Sequence, residues 1–523
     1  MFDKQILWCP NCEVPLIDDK CEICGSKGKN GVKDMRVVFP KEHDLLEETF
    51  KVKMPRPLFY NKGRYIHNGK TVGLMRYDDN NNPGMKIPQN SILTKGCNLN
   101  EDLDYDGFIN KMVKANTEAI KRLEDEAISF INEMYREYSE NGAYVAFSGG
   151  KDSTVVAHLV KKALGKASVF FGDTTIEFPT TYEYIERFRN EEGIELHIEK
   201  SEKDFFDLCE QLDPPSQKMR WCCTVFKAHP LNNFLNKHNG TVLFFDGIRR
   251  AESSARSEYE RISGNKKASK QITVRPILNW STLEVWLYLF YTKVDFNKLY
   301  EVGYGRAGCM YCPYNTRIDD YLFRIYFKDH FEKYKNILSK YVEANYSDKF
   351  EEDEYKIWVE NGWKYRLPHR KTDFVASAFC QENTTSYSFT CPVEEEIVEF
   401  LKPIGNVKVS KLGEKKVFRL NDEQMCAITG AVGSESLVVN YHKSEKKNMI
   451  KNMLEKQIAK YLNCVKCGGC VGICPKGAIS VENKEFRIDE EKCNNCLICI
   501  KTKFVGYNCV SLSYASNTKR IAK

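Results

Sequence analysis

Ser148-Gly149-Gly150-Lys151-Asp152-Ser153 stands between two readable segments. Before it, Tyr144-Val145-Ala146-Phe147 is a short apolar run with strand character. After it, Thr154-Val155-Val156-Ala157-His158-Leu159-Val160-Lys161-Lys162 reads as a helix. A strand, a tight Gly-Gly turn and a helix start make a phosphate-binding arrangement. Two glycines, having no Cβ, let backbone N–H groups approach an anion. The new helix aims its unpaired N–H groups and positive dipole end at the same spot. Ser148 and Ser153 add hydroxyl donors, and Lys151 adds a point charge. Asp152 suits either a ligand for a nucleotide-bound Mg²⁺ or an N-terminal helix carboxylate. The loop lacks the four-residue spacer of a Walker A motif. Alone, the hexapeptide also fits a Gly-Ser turn capping an ordinary helix.

A chain of 523 residues implies about three or four domains. Hydrophobic content of 42% and charged content of 29% are globular values. No long apolar run suggests a membrane span, and MFDKQILWCPNC does not read as a signal peptide, so a cytoplasmic setting is expected. The formal charge of +6 permits anionic ligands without demanding nucleic acid. The 21 cysteines are the loudest signal, and their CxxC spacings point to metal rather than disulfides.

Residues 1–30 read as a zinc ribbon. Cys9-x2-Cys12 and Cys21-x2-Cys24 can converge on one tetrahedral thiolate site, with a rubredoxin-like iron site as the alternative. Residues 31–100 are β-leaning, with Asn68-Gly69 at a hairpin turn. Residues 101–315 open on an amphipathic helix and continue as alternating strands and helices, which implies a parallel sheet with ligands at the strands' carboxyl ends. Ser148–Ser153, Asp173 and Gly247 all fall at such ends. Just past one of them, Arg249, Arg250 and Arg256 suit bidentate oxyanion recognition, or else form a solvated basic loop. Residues 316–385 read as a helical extension and 386–462 as a small α/β module. In 463–523, Cys464-x2-Cys467-x2-Cys470-x3-Cys474-Pro475 is the bacterial ferredoxin run; Cys493-x2-Cys496-x2-Cys499 repeats it and Cys509 follows.

The segments "SGGKDS", "DTTIEFPTTY", "GIRRAESSAR", "VRPILNWSTLEVWLYL" and "YEVGYGRAGCMYCP" resemble the phosphoadenylyl-sulfate (PAPS) reductase family, within the adenine nucleotide alpha hydrolase-like PP-loop superfamily. The resemblance covers about residues 141–315. It implies that Ser148, Gly149, Gly150, Lys151, Asp152 and Ser153 hold a nucleotide's phosphates, that Asp173 and the segment after it line the adenosine site, with Gly247 also among the nucleotide-binding residues, and that Arg249, Arg250, Ser253 and Arg256 form an anion pocket. Lys151, Asp152, Arg249, Arg250 and Arg256 are the expected catalytic residues. Cys222, Cys223, Cys309 and Cys312 are similar to the four ligands of the 4Fe–4S cluster in the adenylyl-sulfate (APS) reductase branch, zinc or a dithiol pair being the alternatives. Lys227 matches that branch as well, whereas Phe226 stands where it usually has a basic residue. The C-terminal module resembles a two-cluster ferredoxin. That resemblance implies Cys464, Cys467, Cys470 and Cys509 on one 4Fe–4S cluster and Cys474, Cys493, Cys496 and Cys499 on the other.

Two departures divide the functional expectation. The Glu-Cys-Gly-(Leu/Ile)-His string that carries the catalytic cysteine of these reductases is absent, and the pyrophosphate loop, usually degraded in them, is intact. The first expectation is an iron–sulfur oxidoreductase that binds adenylyl sulfate and reduces its sulfur with electrons from its own clusters, fed by an external low-potential donor. The second is an ATP-dependent sulfurtransferase that adenylates and thiolates tRNA, DNA or another acceptor. Both call for an adenine nucleotide (ATP, APS or PAPS), Zn²⁺ and 4Fe–4S clusters.

Overall fold

The computed structural model describes residues 5–78, 82–94, 103–191, 193–265, 268–346, 352–365, 377–381, 383–389, 391–421, 426–442, 447–462, 464–471 and 474–500. Cys97 and Cys509 lie outside them. The chain divides into two units. One comprises Met1–Glu199, His238–Asn265 and Lys270–Asn336; the other comprises Lys200–Lys237, Lys266–Ser269 and Ile337–Lys523. Among the described residues no helix is long and apolar enough to cross a membrane.

The first unit is built on a six-stranded sheet. Its strands are β1 (Ala143–Phe147), β2 (Ala167–Asp173), β3 (Ile194–Lys200), β4 (Val242–Phe245), β5 (Ile262–Asn265) and β6 (Ala268–Val274), in the spatial order β3-β2-β1-β4-β6-β5. β1 runs parallel to β2, with Val145 opposite Val169, and parallel to β4, with Val145 opposite Phe245. β4 is parallel to β6 in turn. All four residues of β4 are buried, as a strand covered on both faces requires. Helices α1 (Lys151–Leu164), α2 (Pro179–Arg189) and α3 (Thr282–Thr292) belong to the same unit. The chain leaves β1 toward β2 on one side and returns to β4 on the other, so the β1/β4 crevice is the topological switch point where open α/β sheets bind ligands.

The N-terminal segments join this unit. Ile6–Trp8 pairs with Pro15–Leu16 and with Lys29–Val32, and five antiparallel strands follow between Arg36 and Lys86. Trp8 meets Phe59 edge-on at 5.1 Å. The Asn116 amide donates to the Pro15 carbonyl at 2.9 Å and accepts from Ile17 N–H at 2.9 Å. The Glu22 carboxylate takes the Glu118 N–H at the start of helix Thr117–Tyr138, satisfying an orphan donor. Too short for a core of its own, the cysteine-rich segment thus contributes to a shared one. Arg36, buried, donates to both oxygens of buried Glu42 at 2.5 and 2.6 Å and to the Gly303 carbonyl at 3.0 Å.

In the second unit, residues 377–441 form a six-stranded antiparallel sheet, running from Ser377–Gln381 at one edge to Val407–Leu412 at the other. The sequence marks only Lys416–Leu420 as strand-like, because Ser, Thr, Gly and Lys weaken the alternation elsewhere. Ile397–Leu401 and Lys447–Leu462 supply its helical cover around Ile450, Leu454 and Ile458. The hairpin Ile479–Glu482/Glu485–Ile488 carries the C-terminal cysteine module.

Glu42→Ala strands a buried guanidinium and is expected to cost about 3–5 kcal/mol. Calorimetry of the full chain should show a lower unfolding midpoint, and the double variant Arg36→Met/Glu42→Leu should recover most of it.

Candidate functional site

Between the end of β1 and the start of α1 the chain turns through Ser148, Gly149 and Gly150, with Gly149 at φ +68°. Asn297 fixes this turn by donating from Nδ2 to the Gly149 carbonyl at 3.1 Å and to Thr181 Oγ1 at 2.9 Å. The Tyr300 hydroxyl accepts from Lys151 N–H at 3.0 Å and from Ala307 N–H at 3.2 Å. One of the helix-start donors is therefore committed to Tyr300. Ser153 Oγ accepts from Ser148 N–H at 3.2 Å and donates to the Gly150 carbonyl at 2.9 Å. Sequence reading assigned no role to Tyr300 or Asn297. Tyr300 lies inside a quoted family segment and Asn297 just before it, so a signal was near but unread.

Charge gathers at the start of α1. Lys151 Nζ donates to Asp152 Oδ2 at 2.8 Å and sits 5.4 Å from the Tyr300 ring centroid. Arg249 Nε donates to Asp152 Oδ1 at 2.6 Å. Burial alone would raise the Asp152 carboxyl, but Arg249 and Lys151 outweigh it and hold the group down to about 2. Two cations on one carboxylate leave a net positive charge beside a helix N-terminus, which suits an anionic ligand.

Arg249 comes from the segment after β4 and is only 2% exposed. Its Nη1 also donates to the Trp280 carbonyl at 3.2 Å. Gly247, in the same segment, lies under the loop: a Cβ there would stand 2.8 Å from the Asp152 carbonyl carbon and 2.9 Å from Ser153 N. Arg250 and Arg256 take other partners. Arg250 Nη1 donates to Asn279 Oδ1 at 2.8 Å, and Arg256 pairs with Glu252, while Ser253 Oγ accepts from Arg256 N–H. At the end of β2, Asp173 Oδ1 accepts from Thr175 N–H and the Tyr182 hydroxyl, each at 2.8 Å.

Residues 142–315 match the phosphoadenosine phosphosulfate reductase domain. The adenosine 5'-phosphosulfate reductase of Bacillus cereus (strain 03BB102) is 32% identical over 192 residues, which cover 36% of this chain and 79% of that protein. The chain belongs to the phosphoadenosine phosphosulfate reductase family. An uncharacterized protein of Methanocaldococcus jannaschii is 36% identical over 274 residues, or 51% of this chain and 54% of that one. The chain therefore spans only about half the length of that relative. Among solved structures, the PAPS reductase of Candida auris in a phosphate complex is 19% identical, with 35% of this chain and 93% of that chain covered, at a TM-score of 0.27.

In this PAPS reductase-family chain the cysteines fall into distinct places. Cys9, Cys12, Cys21 and Cys24 bring their sulfurs within 4.8 Å of one another, and all but Cys24 are buried. Four thiols at that spacing fit a tetrahedral Zn²⁺. The Ser26 hydroxyl and N–H lower the Cys24 thiol to about 6. Cys309 and Cys312 belong to the first unit. Met310 N–H donates to the Ile176 carbonyl at 2.9 Å and Cys309 Sγ to Glu177 at 3.5 Å, so this pair borders the segment after β2. Both thiols also act on the Arg306 guanidinium, offsetting its burial.

Cys222 and Cys223 belong to the second unit, on the helical turn Trp221–Cys223, followed by a π-helical turn Thr224–Ala228. Phe226 is buried against Phe205 and Trp221, an apolar position that accounts for the missing basic residue, while Lys227 is exposed. Cys464, Cys470, Cys474, Cys493 and Cys499 pack with Phe400, Phe486 and Ile488. Burial raises the Cys499 thiol, and Cys474, Cys493 and Cys496 act on it in the same direction.

Gly247→Ala forces a methyl into the backbone beneath the loop. Calorimetric affinity for ATP or pyrophosphate should fall about tenfold to a hundredfold, with metal content unchanged. Because the folded Asp152 titrates below its ordinary 3.8, its contribution to stability is complete above about pH 4 and is lost as pH falls toward 2. Asp152→Asn should flatten that part of the stability–pH profile.

Proposed function

We propose that this protein is an iron–sulfur enzyme that binds an adenylyl sulfate at Ser148–Ser153 and reduces its sulfur with electrons from its own 4Fe–4S clusters. Two electrons enter, and sulfite and AMP leave. In this reading Lys151 and Arg249 hold the phosphate charge, with Asp152 keeping both in place, and Asp173 and Gly247 line the nucleoside side. Arg250, Ser253 and Arg256 exchange their present partners for the sulfate-bearing end of the ligand. Cys222, Cys223, Cys309 and Cys312 hold one cluster; Cys464, Cys467, Cys470 and Cys509 a second; Cys474, Cys493, Cys496 and Cys499 a third. Zn²⁺ at Cys9, Cys12, Cys21 and Cys24 is structural. When bound, the clusters supply single electrons at low potential, replenished by an external donor.

The observation that carries this reading is the seat of the first ferredoxin run against the segment that follows Cys223. A Cβ on Gly469 would stand 2.4 Å from Thr224 Cγ2 and 3.7 Å from Cys467 Sγ. Gly468, at φ +73°, would place its Cβ 2.4 Å from the His229 ring. Only glycines permit so close an approach, and both residues they meet lie within a few positions of the Cys222–Cys223 pair. A joint so close favours passing electrons inside one polypeptide.

A second reading rests on the intact loop. With Gly149 in a left-handed turn and the Ser148 and Ser153 hydroxyls present, ATP would fit as well, Asp152 exchanging a present partner for Mg²⁺, and the enzyme would adenylate and thiolate an RNA or DNA acceptor. Anaerobic, cluster-loaded protein supplied with reductant and APS, PAPS or ATP separates the two. Sulfite with AMP from APS, or with adenosine bisphosphate from PAPS, is expected. Pyrophosphate from ATP only when RNA or DNA is added, with no sulfite, would replace the first reading by the second. Gly468→Val should lower reductive turnover about tenfold or more while nucleotide affinity stays unchanged.

A further inference from the structure

Arg306 stands apart from the other arginines near the phosphate loop. Arg249 is held by Asp152, Arg250 by Asn279 and Arg256 by Glu252. Arg306 makes no hydrogen bond or ion pair among the described residues, and its side chain is exposed. Exposed arginines are common, so position decides what this one does.

The residue after it fixes that position. Ala307 N–H donates to the Tyr300 hydroxyl at 3.2 Å, and the same hydroxyl accepts from Lys151 N–H at 3.0 Å. A Cβ on Gly150 would stand 3.3 Å from that hydroxyl and 3.9 Å from Ala307 Cβ. The backbone that carries Arg306 is thus seated on the loop itself. Its guanidinium folds back along the chain toward the cysteine pair: a Cβ on Gly308, the residue before Cys309, would stand 3.1 Å from Arg306 Nη2 and 3.5 Å from Nε. Enough protein surrounds the side chain to desolvate its charge in part, so it opens to solvent within a recess. Glu252 and Asp319 act on it only from beyond ion-pair reach, and both are engaged elsewhere, with Arg256 and Thr316.

A guanidinium presents a planar fork of N–H donors that matches two oxygens of a sulfate or phosphate. The loop and Lys151 provide for one phosphate, which is all that AMP carries. Adenylyl sulfate carries a further oxyanion, and ATP carries two further phosphates. Arg306 can meet such a group without first giving up a protein partner.

We propose that Arg306 receives the oxyanion beyond the α-phosphate of the bound nucleotide, the sulfate of adenylyl sulfate or the outer phosphates of ATP, and so discriminates both from AMP. The proposal rests on the reading of Ser148–Ser153 as the nucleotide's phosphate site, and it holds whether the enzyme reduces or adenylates. In the reductive reading, Arg306 keeps the sulfate on the side of the loop from which the Cys309–Cys312 turn leaves.

Phenylglyoxal footprinting of the wild-type, full-length protein tests it, since the reagent modifies accessible guanidiniums and peptide mass spectrometry locates the product. The probes are AMP, APS and ATP, each without reductant. Arg306 is expected to react in the free protein and with AMP bound, and to be protected by APS, by ATP or by both; the ligand that protects identifies the group held. Calorimetry of Arg306→Gln should show affinity for the protecting ligand reduced about tenfold to a hundredfold with AMP affinity retained, and Arg306→Lys should recover part of the loss. Wild-type protein that binds none of the three refutes the phosphate site and this proposal with it. Arg306 left reactive by APS and ATP alike, protected equally by AMP, or replaced by Gln with no ligand-selective loss would overturn the proposal, while sulfite release still judges the reductase reading separately.

Discussion

The buried contact between Asp152 and Arg249 is the constraint on which the nucleotide site depends. It ties the first turn of α1 to the segment after β4, the two elements that border the switch point of the sheet. Arg249 is almost wholly buried, so its guanidinium needs the carboxylate, and Asp152 needs Arg249 and Lys151 to stay ionised. Gly247 lets that segment slide under the loop, and Tyr300 and Asn297 hold the loop from the other side. The result is a pre-formed, positively charged cradle. Pre-organisation of this kind lowers the ordering cost of binding a charged ligand.

Much of this was legible in the sequence. Ser148–Ser153 announced a phosphate loop because glycine spacing and flanking patterns are local signals, readable without tertiary context. Alternating strands and helices gave the parallel sheet for the same reason. What could not be read was who pairs with whom. Arg249 looked like an open anion receptor, yet its Nε is held by Asp152, 97 positions earlier. Tyr300 carried no sequence signal of its own, yet its hydroxyl accepts from Lys151 N–H at the loop. The sheet at residues 377–441 went mostly unseen because its strands are polar on one side and rich in Ser, Thr and Gly. Phe226 could be seen to depart from the family pattern, but the apolar site that explains it, between Phe205 and Trp221, needs coordinates.

On the proposed reading, the second unit supplies the redox groups. Its cysteine runs pack with the Phe400–Phe486 stack, and its glycines let the first run approach Thr224, next to Cys223, and His229 further along the same segment. Glycine at 468 and 469 is a steric requirement of that joint. On the proposed reading, a family member that lacks the usual catalytic-cysteine string would store its reducing equivalents on its own cysteine-bound clusters before the substrate arrives.

The most direct measurement is an anaerobic single turnover. Full-length, cluster-loaded protein is reduced, freed of reductant and mixed with adenylyl sulfate while iron–sulfur absorbance is followed. The account predicts that the clusters reoxidise as sulfite and AMP form, with two electrons lost per sulfite. Clusters that stay reduced while the nucleotide binds intact would contradict it.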